Sequence, residues 1–196
     1  LDGVLCQSLH RFFQKRYTMK LDVGCGKYKA EGYTGIDNAV LSEVDIRHNL
    51  NEFPWPIKDD SVDEVRCFHV LEHVDDVVKT MQEIYRISKN KAIVHIRVPH
   101  ASCSKTVWTD PTHKRGFTCR TFLDYFNNDS KFGYYSNVNF LLISQKMNYC
   151  LYNGTRDTKI PRWWQSIWNY VGNLNFTTQE IFERLFANWI GGFEEL

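Results

Sequence analysis

The sequence lacks the features that would place it in several specialised classes of protein. None of its apolar runs approaches the ~20 residues that a helix needs to span a bilayer, and residues 1–17 lack the long apolar centre of a secretory signal. The net charge is only +1, so the chain has no overall positive field that would attract nucleic acid. These absences predict a chain with no membrane span and make a cytoplasmic location the default expectation.

Paired cysteine motifs are also missing. The six cysteines are scattered along the chain, and no two of them form a Cys-x-x-Cys pair. This spacing indicates neither a zinc ribbon nor a thioredoxin-like redox site. We therefore expect reduced thiols, most of them buried.

The first half of the sequence shows an alternation of strand and helix patterns. Strand patterns occur at 20–23, 33–37, 62–68 and 91–98, and the apolar residues of 74–88 recur with helical spacing. This order predicts an α/β fold with a mostly parallel central sheet and flanking helices. Only about ten residues separate the first strand from the end of the second. A helical crossover with its loops needs at least 10–12 residues, so a short first crossover is expected.

The second half is less regular. Residues 100–118 have the pattern of a long loop, which in a compact domain indicates a function. Thr118 is a candidate cap for a helix through Phe122 and Phe126, and 138–152 suits one or two strands. The tail is predicted to hold a helix with Trp163, Trp164 and Trp168, a second helix at 178–187 and a strand-like end near Gly192.

A glycine turn follows the first predicted strand. That strand ends in Asp22-x-Gly24-x-Gly26, and glycines at such a point let the backbone approach a ligand closely. Asp37 ends the second strand, where an acid can accept hydrogen bonds from both hydroxyls of a ribose. Taken alone, the turn is weak evidence for a nucleotide site, because a tight strand exit has the same sequence. A dinucleotide enzyme is disfavoured because Lys29 replaces the third glycine of Gly-x-Gly-x-x-Gly.

Further motifs follow in a fixed order. They are the segment Phe53 to Asp63, then Val70-Leu71-Glu72-His73, then Glu83-Ile84-Tyr85-Arg86. Together with the glycine turn and Asp37, they resemble the class I, methyltransferase-11-type family of S-adenosylmethionine-dependent methyltransferases over residues 19–126. The resemblance implies a Rossmann-like fold and S-adenosylmethionine as the cofactor. The stretch WTDPTHKRGFTCRTF resembles a subgroup of this family with a very short first crossover, which implies no particular acceptor.

The resemblance also implies which residues contact the cofactor. The glycine turn would hold its methionine end and Asp37 its ribose. Asn49 stands where the family commonly has an aspartate for the adenine amine, and its amide oxygen can still accept that hydrogen bond. Phe68 and His69 end a strand beside the sulfonium. The full set is Asp22, Gly24, Cys25, Gly26, Asp37, Asn38, Asn49, Leu50, Phe68 and His69.

A catalytic base is needed only if the acceptor atom carries a proton at neutral pH. The candidates are His100, Asp110 and His113, in the loop after the last clear strand, and histidine has the appropriate ordinary pKa. Turn formation at Asp110-Pro111 and solvent exposure of His113 are the alternatives. Glu72 and His73 are candidates for a catalytic or metal-binding role, but we interpret them as residues of a helix start, where an acid suits the helix dipole and His73 packs or caps. No metal site is predicted.

The length favours a single methyltransferase domain over 1–196. Its cofactor-binding half is 1–98, and its substrate-side half, 99–196, holds the long loop, the last strands and a Trp-rich helical cap. A chain this short has room for a small-molecule or sugar-like acceptor, methylated on oxygen or nitrogen, but not for an appended docking module.

Two other functions remain open. A nucleic acid or protein acceptor would be favoured by a positive strip joining Lys27, Lys29, Lys114 and Arg115 beside the cofactor. A cofactor-binding or scaffold protein without transfer activity would be favoured by the lack of an unambiguous base. The spacing of Trp164, Trp168 and Val171 indicates packing in a core or lid, with a homodimer through the Trp-rich tail as the alternative.

Overall fold

Five parallel strands form the central sheet. The computed structural model describes residues 18–127, 130–148 and 162–186. The strands are β1 (Lys20–Val23), β2 (Thr34–Asp37), β3 (Ile46–Arg47), β4 (Val62–Phe68) and β5 (Ser88–Arg97), and they lie in the order β3-β2-β1-β4-β5. The order reverses between β1 and β4, and ligands of open parallel sheets bind beyond the carboxyl ends of the strands at such a switch. The predicted α/β fold with a mostly parallel sheet is confirmed.

The helices of the described residues are mostly short. They are α1 (Val77–Ile87), α2 (Ser104–Trp108), α3 (Thr121–Phe126), α4 (Arg162–Gly172) and α5 (Phe176–Ile181), with a 3₁₀ turn at Gly133–Tyr135 and a π-helical turn at Phe182–Phe186. Residues 24–33, between β1 and β2, contain turns and no helix, as the short spacing predicts. The crossover from β4 to β5 is the one that carries a helix, α1.

The helix α1 begins three residues later than its apolar pattern predicts. Asp76 is its N-cap, and its side chain accepts a hydrogen bond of 3.0 Å from the Lys79 amide. A carboxylate cap satisfies one of the amides that the first helical turn leaves without a partner. The buried face of α1 packs on the sheet and carries Thr80, Met81, Glu83, Ile84 and Ile87.

One large hydrophobic core joins the two halves of the chain. Its buried members from the sheet and α1 include Leu21, Val23, Ile36, Val65 and Ile84, and Phe117, Phe126 and Val138 join it from the second half. A second, smaller cluster contains Cys119, Met147 and Phe182, with Trp168, Val171 and Phe176 packed against it. Trp168 and Val171 therefore contact a core, as their helical spacing indicates. The side chain of Trp164 lies outside the described residues.

Two predictions for the second half are wrong. No strand occurs within 138–148, the described part of the predicted range 138–152, and Phe140 makes an isolated bridge with Asn127. Side-chain amides replace a neighbouring strand there, because Asn127 Oδ1 accepts from the Leu142 amide (2.9 Å) and Asn173 Oδ1 from the Met147 amide (2.7 Å). The helix α3 begins at Thr121, with no side-chain cap. The predicted strand-like end near Gly192 lies outside the described residues.

The long loop at 100–118 contains more structure than its sequence indicates. It includes the helix α2 and a parallel bridge between His100 and Phe117. Gly116 permits this bridge, because a Cβ at that position would lie 2.9 Å from the Cα of Ala101. The loop is thereby held against the end of β5.

A charged network on one face of the sheet gives a testable pH dependence. The Glu64 carboxylate lies 2.6 Å from Lys20 Nζ and accepts a hydrogen bond of 2.6 Å from the Tyr33 hydroxyl. The Lys20 bond, and then the Tyr33 bond, hold the pKa of Glu64 below its ordinary value of 4.5. A carboxylate whose folded pKa is lowered stabilises the fold above that ordinary value, and this stabilisation is lost as the pH falls through the folded pKa.

We therefore expect Glu64→Gln to lower the free energy of unfolding at pH 7 by about 1 kcal/mol. The difference from wild type should be smaller at pH 3 than at pH 7, because protonation of Glu64 removes this stabilisation as the pH falls through its lowered folded pKa. Urea unfolding at the two pH values measures it, and Glu31→Gln, at an exposed site, is the matched control. A difference that is the same at both pH values would contradict the assignment.

Candidate active site

A cleft opens at the carboxyl edge of the sheet, where β1, β2 and β4 end. Six of the predicted cofactor residues line it: Gly24, Asp37, Asn38, Asn49, Leu50 and His69. The other lining residues are Asn51, Val70, His73 and Val74. The cleft thus lies at the point where the strand order reverses, which is where this type of sheet binds its ligands.

The glycine turn forms one wall of the cleft. Gly24 has φ +65°, and a Cβ there would lie 2.3 Å from Cγ2 of Val70. Glycine is therefore required by both the left-handed backbone and the close approach of Val70. Gly26 has φ +46°, and its amide donates a hydrogen bond of 2.9 Å to Asp37 Oδ2. This bond ties the turn after β1 to the acid at the end of β2.

The Asp37 carboxylate is fixed by backbone amides on both oxygens. Oδ2 accepts from Gly26, and Oδ1 accepts from Ala39 at 2.8 Å. An ionised carboxylate has about four acceptor sites, so each oxygen can accept another hydrogen bond. A rigid acid with remaining acceptor capacity is suited to a pair of ligand hydroxyls.

Besides Gly26, three of the ten predicted cofactor residues are not among those that line the cleft. Asp22 is 1% exposed, and its Oδ2 accepts from the Ala30 amide (2.8 Å) and from Arg66 Nη1 (2.6 Å). Cys25 is buried, and its burial, then the charges of Asp37 and Asp22, raise the pKa of its thiol to about 11. Both residues support the turn from behind, and the contacts that the resemblance implies for them remain predictions.

The third such residue, Phe68, lies at the end of β4. Its ring lies 4.3 Å from the guanidinium of Arg66 and 4.6 Å from that of Arg97. These distances are typical of cation–π contacts. His69, the next residue, has φ +55° and lines the cleft.

The segment after β3 brings Asn49 and Leu50 to the cleft. Asn49 Oδ1 accepts from the Asn51 amide (3.2 Å), and the Leu50 carbonyl accepts from the indole nitrogen of Trp55 (3.2 Å). Trp55 is 2% exposed, and its amide donates to Glu83 of α1. The buried indole therefore anchors this wall of the cleft to the helix.

Residues 110–115 are attached to the turn at 71–75. The Lys114 amide donates to the Glu72 carbonyl (2.8 Å), and the Arg115 guanidinium donates to the carbonyls of Val74 (2.8 Å) and Asp75 (3.1 Å). The Lys114 ammonium also forms a close ion pair with Asp75. Two motifs that are about 40 residues apart in the sequence therefore form one structural unit.

This unit overturns the interpretation of Glu72 and His73 as residues of a helix start. Both precede Asp76, the N-cap of α1, and lie in the turn between β4 and the helix. Glu72 is fully buried, and its Oε1 lies 4.0 Å from Nε2 of His113. The rings of His73 and His113 make an edge-on contact with centroids 4.6 Å apart. Sequence reasoning missed this cluster because nothing local indicates that the two motifs meet.

The three predicted base residues have different surroundings. The side chain of His113 is 10% exposed and does not itself line the cleft, but its ring contacts that of His73, which does. Asp110 is exposed and accepts two hydrogen bonds from Thr112, from its hydroxyl (2.6 Å) and its amide (2.8 Å). These bonds lower the pKa of Asp110 and make it a weaker base. Asp110 therefore stabilises a turn, which is the alternative role that the sequence indicates for Asp110-Pro111.

His100 is buried away from the cleft. Its Nε2 lies 3.3 Å from Glu183 Oε1, and its Nδ1 lies 2.7 Å from the Ser102 hydroxyl. Burial raises the pKa of Glu183, but hydrogen bonds with His100 and Cys119 outweigh it and leave that pKa lowered. Because His100 is 0% exposed and does not line the cleft, its observed contacts join the long loop to the C-terminal helices.

Of the four basic residues considered for a positive strip, Lys29, Lys114 and Arg115 are paired with acids or carbonyls, whereas the Lys27 ammonium lies 5.5 Å from the centre of the Tyr28 ring. The Lys29 ammonium lies 2.8 Å from Asp45, Lys114 is paired with Asp75, and Arg115 donates to carbonyls. The positive strip that would favour a nucleic acid acceptor is therefore interrupted in the described structure. Within the same residues, no helix is long and apolar enough to cross a membrane.

A parallel sheet of this order, with a glycine turn and an acid on one cleft, is typical of a Rossmann-like nucleotide-binding domain. The family model described as a methyltransferase domain matches residues 1–188. The chain belongs to this family. The methyltransferase class and the Rossmann-like fold expected from the sequence are confirmed.

Individual relatives are distant. An uncharacterized protein of Methanocaldococcus jannaschii is 34% identical over 94 residues, which cover 42% of this chain. The chain spans 41% of the length of that curated relative. A methyltransferase from Archaeoglobus fulgidus, whose crystal structure is described as S-adenosylmethionine dependent, is 17% identical with a TM-score of 0.57, covering 97% of this chain and 90% of its own. At that identity the similarity shows a shared fold.

Proposed function

We propose that this chain transfers the methyl group of S-adenosylmethionine to an oxygen or nitrogen atom of a small-molecule or sugar-like acceptor. The observation that carries the proposal is the cleft itself, where Gly24 after β1, Asp37 at the end of β2 and His69 after β4 meet. The turn and the acid are joined by the bond from Gly26 to Asp37, so they lie on the same side of the sheet.

The cofactor is proposed to lie across the carboxyl ends of these strands. Asp37 and Asn38 would bind the ribose, and Asn49 and Leu50 would contact the adenine. The turn that contains Gly24 would hold the methionine portion. The remaining acceptor capacity of the Asp37 carboxylate supports this arrangement, because each ribose hydroxyl can donate one hydrogen bond.

The acceptor is proposed to approach the side of the cleft formed by His69 and His73. A sulfonium is an activated methyl donor, so the protein chiefly has to align the acceptor and manage one proton. His113 is the best supported of the three predicted bases. Its Nδ1 lies 2.9 Å from the Val107 carbonyl, which fixes the tautomer that leaves a lone pair on Nε2, beside Glu72.

A small acceptor is favoured over nucleic acid by the paired state of Lys29, Lys114 and Arg115. A protein acceptor, or a cofactor-binding protein with no transfer activity, remains the alternative. A single domain over 1–196 is supported by the large core, to which both halves contribute.

We also propose a cell compartment and an oligomeric state for this protein. A reducing, cytoplasmic compartment is supported by Cys25, Cys67, Cys103 and Cys119, which are all free and buried thiols. A homodimer through the Trp-rich tail is supported by the exposed apolar side chains of Ile167 and Tyr170 on α4. Sedimentation at several protein concentrations tests the second.

Calorimetry with S-adenosylmethionine, S-adenosylhomocysteine and NAD tests the cofactor. We expect binding of the first two and no heat from NAD. For the acceptor, a cell extract is incubated with the chain and S-adenosylmethionine labelled in its methyl group, and the products are separated by size. Label in small molecules supports the proposal. Label only in macromolecules overturns the acceptor class, and tight NAD binding without a response to S-adenosylmethionine overturns the cofactor.

A further inference from the structure

We propose that Glu72, His73 and His113 form a binding site for a divalent transition-metal ion at the edge of the cleft. One ligand atom from each residue lies within 4.8 Å of the other two. Two imidazoles and one carboxylate are a donor set typical of zinc, iron and related first-row metals, whereas magnesium and calcium prefer oxygen ligands alone.

The buried carboxylate of Glu72 is the first observation. Its side chain is 0% exposed, and neither oxygen has a hydrogen-bond partner among the described residues. Nδ1 of His69 at 3.3 Å and Nε2 of His113 at 4.0 Å are near Oε1 but do not have hydrogen-bonding geometry. Burial of a carboxylate is unfavourable unless a cation or hydrogen-bond donors compensate its charge. A bound metal ion would supply that compensation.

The tautomers of the two histidines are the second observation. Nδ1 of His113 lies 2.9 Å from the Val107 carbonyl, which can only accept, so Nδ1 carries the proton and Nε2 the lone pair. Nδ1 of His73 lies 2.9 Å from the Thr112 hydroxyl, which itself donates to Asp110 at 2.6 Å. The hydroxyl therefore accepts from His73, which leaves the lone pair on its Nε2 as well. Histidines that bind metals typically have their other ring nitrogen held in this way.

The three ligand atoms, which lie within 4.8 Å of one another, would have to move closer together when a metal ion binds. Bonds of 2.0–2.2 Å in a tetrahedral zinc site require ligand atoms roughly 3.4 Å apart. The separation of Glu72 Oε1 from His113 Nε2 is 4.0 Å, so a small side-chain rotation brings the two atoms into range. Three protein ligands leave one position open, as in catalytic zinc sites. Because His73 lines the cleft, a molecule bound there is within reach of that position.

The site also indicates a class of acceptor, an inference that rests on the proposed function. A hydroxyl bound at the open position would lose its proton more easily, because the metal lowers its pKa. Its O–H bond would break with the proton passing to water, and the oxygen would then take the methyl group as the S–CH₃ bond breaks with its electrons on sulfur. In the metal-bound protein His113 would be a metal ligand and would no longer act as the base, because the metal would promote loss of the proton instead.

The experiment measures metal binding directly. The full chain is treated with a chelator and dialysed, and Zn²⁺, Co²⁺ and Mg²⁺ are then titrated by calorimetry, with the Co²⁺ absorption spectrum as a second readout. We expect one Zn²⁺ or Co²⁺ per chain and much weaker Mg²⁺ binding. His73→Asn, His113→Asn and Glu72→Gln should each lower the Zn²⁺ affinity at least 100-fold. His95→Asn, at a half-exposed histidine on β5 beside Glu64, is the matched control.

The outcomes separate this proposal from the proposed function. Absence of Zn²⁺ and Co²⁺ binding by the folded wild-type chain overturns the metal site, as does an equal loss of affinity in His95→Asn. His73 is only partly buried, so its variant tests the site even if Glu72→Gln fails to fold. Calorimetry with S-adenosylhomocysteine on the same preparations reports on the cofactor cleft alone. A chain that binds this nucleoside but no metal rejects only the metal site.

Discussion

Replacing Asp37 with alanine should lower the affinity for S-adenosylmethionine by about 100-fold. In the proposed complex, the carboxylate accepts one hydrogen bond from each ribose hydroxyl. A hydrogen bond to a charged group contributes about 1.5–3 kcal/mol, and every 1.4 kcal/mol is a factor of ten in affinity. The loss of two such bonds therefore accounts for at least two orders of magnitude. Calorimetric titration of the variant measures the change.

The matched control for this variant is Glu31→Ala. Glu31 is an exposed acid in the same crossover between β1 and β2, so its removal changes the charge of the region without touching the cleft. We expect its affinity to remain within about twofold of wild type. Asp37 also binds the amides of Gly26 and Ala39, so the melting temperature of each variant is measured alongside. Unchanged affinity in a folded Asp37→Ala protein would remove the central support of the proposed cofactor site.

Replacing Gly24 with alanine should destabilise the fold by about 3 kcal/mol and abolish detectable cofactor binding. The left-handed backbone at φ +65° costs an ordinary residue about 1–2 kcal/mol. The new Cβ would also lie 2.3 Å from Val70, and overpacking of this kind typically costs another 1–3 kcal/mol. Because Val70 lines the cleft, its displacement changes the shape of the binding site. Urea unfolding and calorimetry measure the two effects.

Gly26→Ala separates the cost of the left-handed backbone from the cost of the contact with Val70. Gly26 also has a left-handed backbone, at φ +46°, but no atom lies within 4 Å of a Cβ built there. We expect a loss of about 1 kcal/mol, from the backbone alone. The double variant Gly24→Ala/Val70→Ala should recover part of the stability lost by Gly24→Ala. Equal destabilisation at the two glycines, with no recovery in the double variant, would show that the contact with Val70 is unimportant.

Six of the ten residues predicted for the proposed cofactor site line one cleft, so most of its lining could be predicted from the sequence. The turn around Gly24 and the acid Asp37 are local features that follow strands, and parallel strands bring their carboxyl ends to one edge. What could not be predicted was which side chains of these motifs line the cleft. Asp22 belongs to the same motif as Gly24, but alternation along β1 and the ion pair with Arg66 of β4 bury it behind the turn.

For the long loop at 100–118, in contrast, the sequence could not distinguish between the candidate residues. His100, Asp110 and His113 were equivalent candidates by residue type and position. Only the path of the chain distinguishes them: His100 is buried against Glu183, Asp110 holds an exposed turn, and His113 meets Glu72. These partners lie tens of residues away in the sequence. Propensity and spacing carry no information about such contacts.

The sequence by itself determined the class of the fold, the short first crossover, the helix α1 and the presence of Gly24 and Asp37 at the ends of neighbouring strands on one cleft. Each of these depends on interactions within a few residues, namely hydrophobic periodicity and the conformations that glycine allows. The tertiary structure alone decided that residues 110–115 fold back on the turn at 71–75 and bring Glu72, His73 and His113 together. It also decided that 138–148 forms no strand, because side-chain amides bind its backbone where a neighbouring strand would have done so. Contacts of this kind are set by packing and by the pairing of buried polar groups across the whole domain.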